Sequence, residues 1–149
     1  MHLWFDQPAD SEVIHDRGWT VVQSTCWRVL LTPIVAPSAI DPHALIEDDL
    51  PEGATCEWLS VAEQATRSGW PMTLVALRVL DAEQRVFEYR LAAVYKLLAY
   101  VAVACARIAT GEAYERDRAA LLDLFASVRP EFAGAQVACI EDWYAREAP

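Results

Sequence analysis

Hydrophobic positions in the first third of the chain alternate with polar ones over short runs, which is the pattern of β-strands. The runs "HLWFD", "GWTVV" and "TCWRVLLTP" are rich in aromatic and β-branched residues, and Pro33 closes the third run. In this third run Trp27, Val29 and Leu31 share one face of the predicted strand. Residues 34–55 contain several prolines and are predicted to form a long connection. One or two helical turns are expected within it at "PHALIEDD".

The spacing of apolar residues changes after this connection. Along 55–67 they recur at intervals of three and four, which predicts a helix with one buried stripe: Trp58, Val61, Ala62 and Ala65. Gly69 is suited to end such a helix, and Pro71 prevents its continuation. Trp70 lies between them in an extended backbone, where it either packs over the end of the sheet or is exposed to a partner.

The middle of the chain predicts more strands. "MTLVALRVL" is followed by a turn at "DAEQ" and then by "RVFEYRLAAVY" and "LLAYVAVACARI". One long helix over 88–109, with its seven alanines, is the alternative. We favour a hairpin that bends near Lys96, because a helix there would be apolar all round. The hairpin places Ala102, Ala104 and Ala106 on one face, where a helix could approach closely.

The last third predicts the clearest helix, "EAYERDRAALLDLFASV", which follows Thr110 and Gly111 and ends before Pro130. Its last turn is expected to hold Arg129, and its apolar stripe is Tyr114, Leu121, Leu122, Phe125 and Val128. A short helix around 137–146 is expected within a C-terminal extension, 134–149. Together these elements predict one domain over 1–149, of the α+β class, with helices packed on an antiparallel sheet.

Composition restricts the class of function. The 22 acidic and 12 basic residues give a formal net charge of −10, so binding of nucleic acid through its phosphates is not expected. The longest apolar run, 91–106, contains Lys96 and is shorter than the roughly 20 residues of a membrane span. No secretory signal is recognisable at the start of the sequence, and four widely spaced cysteines suit buried free thiols. We therefore expect a cytoplasmic protein.

No set of residues indicates catalysis or a cofactor. The three histidines have no spaced partner, no serine lies in a nucleophile elbow, and no ligand pair at helical spacing indicates a metal. The acidic run of Glu47, Asp48, Asp49 and Glu52 is either a cation site or a solvated loop. The solvated loop is favoured, because hard-cation loops supply spaced oxygens and a glycine turn.

Aromatic residues are the remaining candidates, since six tryptophans are many for 149 residues and interfaces favour Trp and Tyr. They could line a sheet face that receives a partner, or a helix could already cover that face. Both alternatives stay open. The candidate partner-binding residues are Trp27, Trp70, Phe87, Tyr89 and Tyr100.

The run "EYRLAAVYKLLAYVAVACARI", followed by the acidic, arginine-containing helix and "RPEF", resembles the PsbP/DcrB-like superfamily over 19–132. The resemblance implies an antiparallel sheet with packed helices and, in most members, no catalytic site. Within that superfamily the nearest functional analogue is the Eag-type chaperone of type VI secretion effectors. Those chaperones are small acidic bacterial proteins that dimerise and shelter apolar effector helices on a sheet face.

These observations predict a non-enzymatic bacterial protein-binding module, a chaperone or adaptor for a secreted effector, acting as a homodimer. The alternative is an acidic immunity protein that neutralises a basic toxin, in which Glu47, Asp48 and Asp49 matter more than the aromatic residues. A third hypothesis is a small ligand carrier or enzyme with a pocket in the sheet.

Overall fold

The computed structural model describes residues 2–16, 19–34, 41–47, 50–97, 100–132 and 135–136. Its elements follow the chain in this order: β1 (His2–Trp4), β2 (Glu12–Asp16), β3 (Trp19–Gln23), β4 (Trp27–Ile34), α1 (Pro42–Glu47), β5 (Thr55–Ala65), β6 (Pro71–Leu80), β7 (Val86–Leu97), β8 (Tyr100–Ile108), α2 (Gly111–Ala126), β9 (Arg129–Phe132) and β10 (Ala135–Gln136).

Two antiparallel sheets form from these strands. The main sheet has seven strands in the order β2-β3-β4-β8-β7-β6-β5, and a small sheet pairs β1 and β10 with β9. Strands β5 to β8 form one antiparallel meander, and strands β2 to β4 form another. The two meanders join where β4 pairs with β8. The expected α+β class with an antiparallel sheet is confirmed.

Helix α2 packs against one face of the main sheet, which we call the helix face. Its first turn is capped by Thr110, whose hydroxyl oxygen accepts a hydrogen bond from the Ala113 amide at 3.1 Å. Leu121, Leu124 and Phe125 are buried against alanines of β7 and β8. The predicted hairpin is confirmed, and the small side chains of Ala102, Ala104 and Ala106 lie under the helix as expected.

The predicted helix over 55–67 is wrong, because this segment is the edge strand β5. A β-bulge between Trp58 and Ser60 explains the misleading spacing. Without a bulge, residues three apart point to opposite faces of a strand; the extra residue returns Val61 to the face of Trp58. A bulged strand can therefore imitate a helical interval of three.

The stretch after β5 is a hairpin turn rather than a helix end. Gly69 has a φ of 86°, the left-handed conformation that glycine adopts without strain. The Thr66 hydroxyl oxygen accepts a hydrogen bond from the Trp70 amide at 3.0 Å, and the Thr66 amide donates to the Trp70 carbonyl at 2.9 Å. Trp70 is fully buried, so its side chain packs into the core at the end of the sheet.

Other boundaries also differ from expectation. Helix α2 ends at Ala126, so Arg129 lies in β9 instead of the last helical turn. Strand β2 was not expected. Cys26, Cys56 and Cys105 are free and half-buried rather than buried. The expected helix around 137–146 lies outside the described residues.

None of the helices in the described part of the chain is long and apolar enough to cross a membrane.

Candidate functional site

Four of the five aromatic residues predicted from the sequence belong to the core on the helix face. Trp27 and Trp70 are buried in the core beneath α2. The ring of Tyr89 stacks on Tyr114 of α2, with ring centroids 5.1 Å apart, and its hydroxyl lies against the first residue of the helix. Tyr100 is half-buried against the same core.

Phe87 differs from the other four. It is the second residue of β7, two residues before Tyr89, and 58% of its surface is exposed. The helix therefore covers much of the face on which these residues were expected to receive a partner. Phe87 alone among them is largely accessible from outside.

The opposite face of the main sheet, which we call the outer face, has a different covering. On its β5–β7 side, Leu50 and Ala54 pack against Val75, Leu77 and Val79. The rings of His43, from α1, and Trp58 approach to 4.6 Å between centroids. The segment that contains α1 thus covers this side of the outer face.

An apolar row crosses the whole outer face, with one residue from each strand directly opposite the next. We call it the apolar row; its members, from β2 to β5, are Ile14, Val21, Leu30, Cys105, Ala92, Val75 and Val61. The row is buried in the middle and exposed at its ends, where Ile14 keeps 41% of its surface accessible.

The β2–β4 side of the outer face is an accessible apolar region. Trp19, two residues from Val21 on the same face of β3, has 51% of its surface exposed. Leu30 beside them is half-buried. Large apolar side chains that remain exposed as neighbours indicate a contact surface more strongly than isolated ones do. The sequence did not predict this surface, because it did not indicate strand β2 or the face of the sheet on which Trp19 lies.

A groove of about 590 Å³ lies on the helix side, between 6–10, the β3–β4 turn and α2. Asp6 anchors its rim: its carboxylate oxygens lie 3.3 Å from Arg67 Nη1 and 3.1 Å from Arg129 Nη1. Arg67 also reaches the Asp123 carboxylate at 3.6 Å. These side chains are largely exposed, so the ion pairs contribute little to the stability of the fold. They hold the side chains at the rim of the groove in contact with one another.

The thiol of Cys26 lines the same groove. A hydrogen bond with Thr25 and a second with Arg116 lower the pKa of Cys26. Arg116 is itself held by Asp117, with its Nη2 2.9 Å from a carboxylate oxygen. The neighbouring guanidinium favours the thiolate, so Cys26 is expected to react faster with electrophiles than an ordinary surface cysteine.

No family model matches the chain, and no curated protein matches it. Among solved structures, it is similar to the solution structure of cyanobacterial PsbP (CyanoP) from Synechocystis sp. PCC 6803. That match has a TM-score of 0.56 and 12% sequence identity, and it covers 85% of this chain and 91% of the cyanobacterial one. The fold is therefore PsbP-like, and an identity this low carries no information about function.

Proposed function

We propose that the chain is a non-enzymatic protein-binding module that shelters an apolar segment of a partner on the outer face of its sheet. A chaperone or adaptor for a secreted effector would work in this way. The observation that carries the proposal is the pair of exposed neighbours Ile14 and Trp19 on the face opposite α2.

The physical argument starts from the free energy of burial. Apolar surface gains about 25 cal/mol for each Å² removed from water, and a tryptophan is among the largest contributors at interfaces. Trp19 and Ile14 remain accessible although the opposite face of the same sheet is filled by a helix. A partner helix or strand laid over β2–β4 would bury both side chains together with Leu30.

The acidic exterior supports the same proposal. A protein that exposes large apolar side chains is prone to non-specific aggregation, and a net charge of −10 opposes such aggregation. The charge therefore allows the apolar surface to remain available until a matching partner arrives.

Site-specific photo-crosslinking tests the proposal. A photoreactive amino acid replaces Trp19 in one variant and Glu115, an exposed residue of α2, in the other. In cells that express the protein, we expect a discrete adduct with one protein from position 19 and none from position 115. Adducts from position 115 only, or no adduct from position 19, would contradict the proposal.

A binding measurement with matched variants sharpens the test. N-phenyl-1-naphthylamine is a neutral dye that fluoresces on entering apolar surfaces, and we expect Trp19→Ala to weaken its binding. Trp4→Ala is the control, because Trp4 is similarly exposed but belongs to the small sheet, where its indole N–H donates to Glu131. Equal losses of dye affinity in the two variants would contradict the assignment of the binding site to the outer face.

A further inference from the structure

Strand β5 is a long edge of the main sheet. It has 11 residues, whereas the other strands at sheet edges in the described part of the chain, β2, β1 and β10, have five, three and two. An edge strand leaves every second backbone N–H and C=O without a partner in the sheet. No described residue outside β6 forms a backbone hydrogen bond with 57–64 of β5. The backbone of this edge is therefore open to another strand.

The side chains of this edge are accessible on both faces of the sheet. Residues 59–65 are all exposed, although successive residues of a strand face opposite sides. Val61 keeps 46% of its surface accessible, while Val75, directly opposite it on β6, keeps 1%. The elements that cover the two faces of the sheet thus end before this part of β5.

The sequence of β5 lacks most of the features that protect an edge strand from pairing. Natural edge strands are often protected by lysine, by proline or by a bulge. β5 contains no lysine, arginine or proline, and its bulge between Trp58 and Ser60 precedes the regular stretch 60–65. Pairing with another strand is therefore obstructed only in the first half of β5.

The charge pattern of β5 suits a second copy of the same chain. Each copy has a net charge of −10, so two copies approach most easily where their surface is uncharged. Residues 58–62 carry no charge, and Glu63 is the one charged residue of 60–65. If two β5 strands run antiparallel with Val61 opposite Val61, the two Glu63 positions are four residues apart along the strands, about 13 Å. At that separation the repulsion between exposed carboxylates is largely screened by salt.

We propose that the chain forms a homodimer in which two β5 strands pair antiparallel, with a two-fold axis at Val61. The two main sheets then become one continuous sheet. The axis is perpendicular to this sheet, so both outer faces lie on the same side and the apolar row of one copy continues into that of the other. β2 is at the opposite edge, so Ile14 and Trp19 of both copies stay accessible, and the dimer does not depend on the function proposed above.

Sedimentation equilibrium tests the dimer. One strand from each copy makes a small interface, so we expect a dissociation constant on the order of micromolar. The mass of the unsubstituted protein should therefore rise from that of one chain to twice that value as its concentration passes through this range. A mass of one chain at millimolar concentration would refute the dimer.

Charge substitutions at Val61 locate the interface. Val61→Lys and Val61→Glu each place like charges opposite each other, and we expect each to weaken dimerisation about tenfold or more. A mixture of the two variants should dimerise at least as tightly as the unsubstituted protein, because the charges are then opposite in sign. Misfolded variants would not recover in this way. A mixture that dimerises no better than either variant alone would refute the β5 interface.

The matched control is Ile14→Lys, which places the same charge at the other exposed end of the apolar row. It should leave the dimer unchanged. If Val61→Lys leaves the dimer intact, or if Ile14→Lys dissociates it as strongly, the β5 interface is refuted. Trp19→Ala should weaken the binding of N-phenyl-1-naphthylamine without dissociating the dimer. Failure of the partner-binding proposal is therefore distinguishable from failure of the dimer.

Discussion

The two faces of the seven-stranded sheet are covered in different ways. On the helix face, alanines of β7 and β8 allow α2 to approach closely, and Leu121 and Phe125 fill the space between helix and sheet. On the outer face, the apolar row is buried at its centre but leaves Ile14 accessible, with Trp19 beside it. Both faces therefore carry apolar residues that are suited to burial. The small side chains on the helix face allow a helix to pack closely against the sheet.

Disrupting the helix face should have the largest effect on stability. Phe125→Ala removes a fully buried ring between α2 and the sheet, and we expect it to lower the free energy of unfolding by about 3–5 kcal/mol. Trp19→Ala, on the outer face, should change it by about 0.5 kcal/mol or less. Urea denaturation followed by circular dichroism checks both. Similar losses in the two variants would contradict the proposed division of the sheet into a core face and a partner-binding face.

The hydroxyl of Tyr95 tests the helix face more finely. It donates a hydrogen bond to the Phe125 carbonyl at 2.8 Å, and burial raises the pKa of Tyr95 well above its usual value. Tyr95→Phe should cost about 1 kcal/mol at neutral pH. Repetition of the urea titration for this variant gives the value directly.

The same tyrosine predicts a dependence of stability on pH. Because the folded-state pKa is raised, its contribution is complete below the unfolded value of about 10 and is lost as pH rises above it. Between about pH 8 and about pH 11, Tyr95→Phe should therefore lose less stability than the unsubstituted protein. Equal losses would show that Tyr95 ionises as easily in the folded state as in the unfolded one.

The thiol of Cys26, at the β3–β4 turn beside α2, should show a smaller and purely chemical effect. Since Thr25 and Arg116 lower its pKa, Arg116→Ala should shift its alkylation by iodoacetamide to higher pH. Mass spectrometry of the modified peptides gives the rate for each cysteine. Cys56, whose pKa is raised by burial, is the internal reference and should be unaffected. If the alkylation of Cys26 does not shift to higher pH in this variant, Arg116 does not lower the pKa of Cys26.

The smallest effect is expected at Phe87, near the beginning of β7. Phe87→Ala removes a largely exposed ring, and the free energy of unfolding should change by about 0.5 kcal/mol or less. Adding Tyr89→Ala should increase the loss, because it removes the stacking contact with Tyr114. If Phe87→Ala alone is strongly destabilising, Phe87 belongs to the core and is not available to a ligand.

Sequence patterns predicted the parts of this molecule in which local and tertiary preferences agree. The β7–β8 hairpin could be predicted because its residues were too apolar for a surface helix, and α2 because Thr110 caps an amphipathic run. Strand β5 could not, because its bulge changed the spacing of Trp58 and Val61. Edge strands also bury little, so their alternation is weak.

The outer face escaped sequence analysis for a different reason. The neighbours of Arg28 and Leu30 on β8 are set by pairing between strands that are far apart in the chain. A single sequence shows that Arg28 and Arg107 exist, but it does not show that they are opposite each other. Pairing register is therefore the information that converts scattered residues into a candidate surface.

The central proposal is that the outer face binds an apolar partner, and nuclear magnetic resonance tests it most directly. The protein is titrated with N-phenyl-1-naphthylamine while the indole N–H and backbone amide signals are followed. We predict that the signals of Trp19, Ile14 and Leu30 shift together, while those of Leu121 in α2 and Trp4 in the small sheet stay in place. Shifts confined to α2 or to Trp4 would contradict the claim.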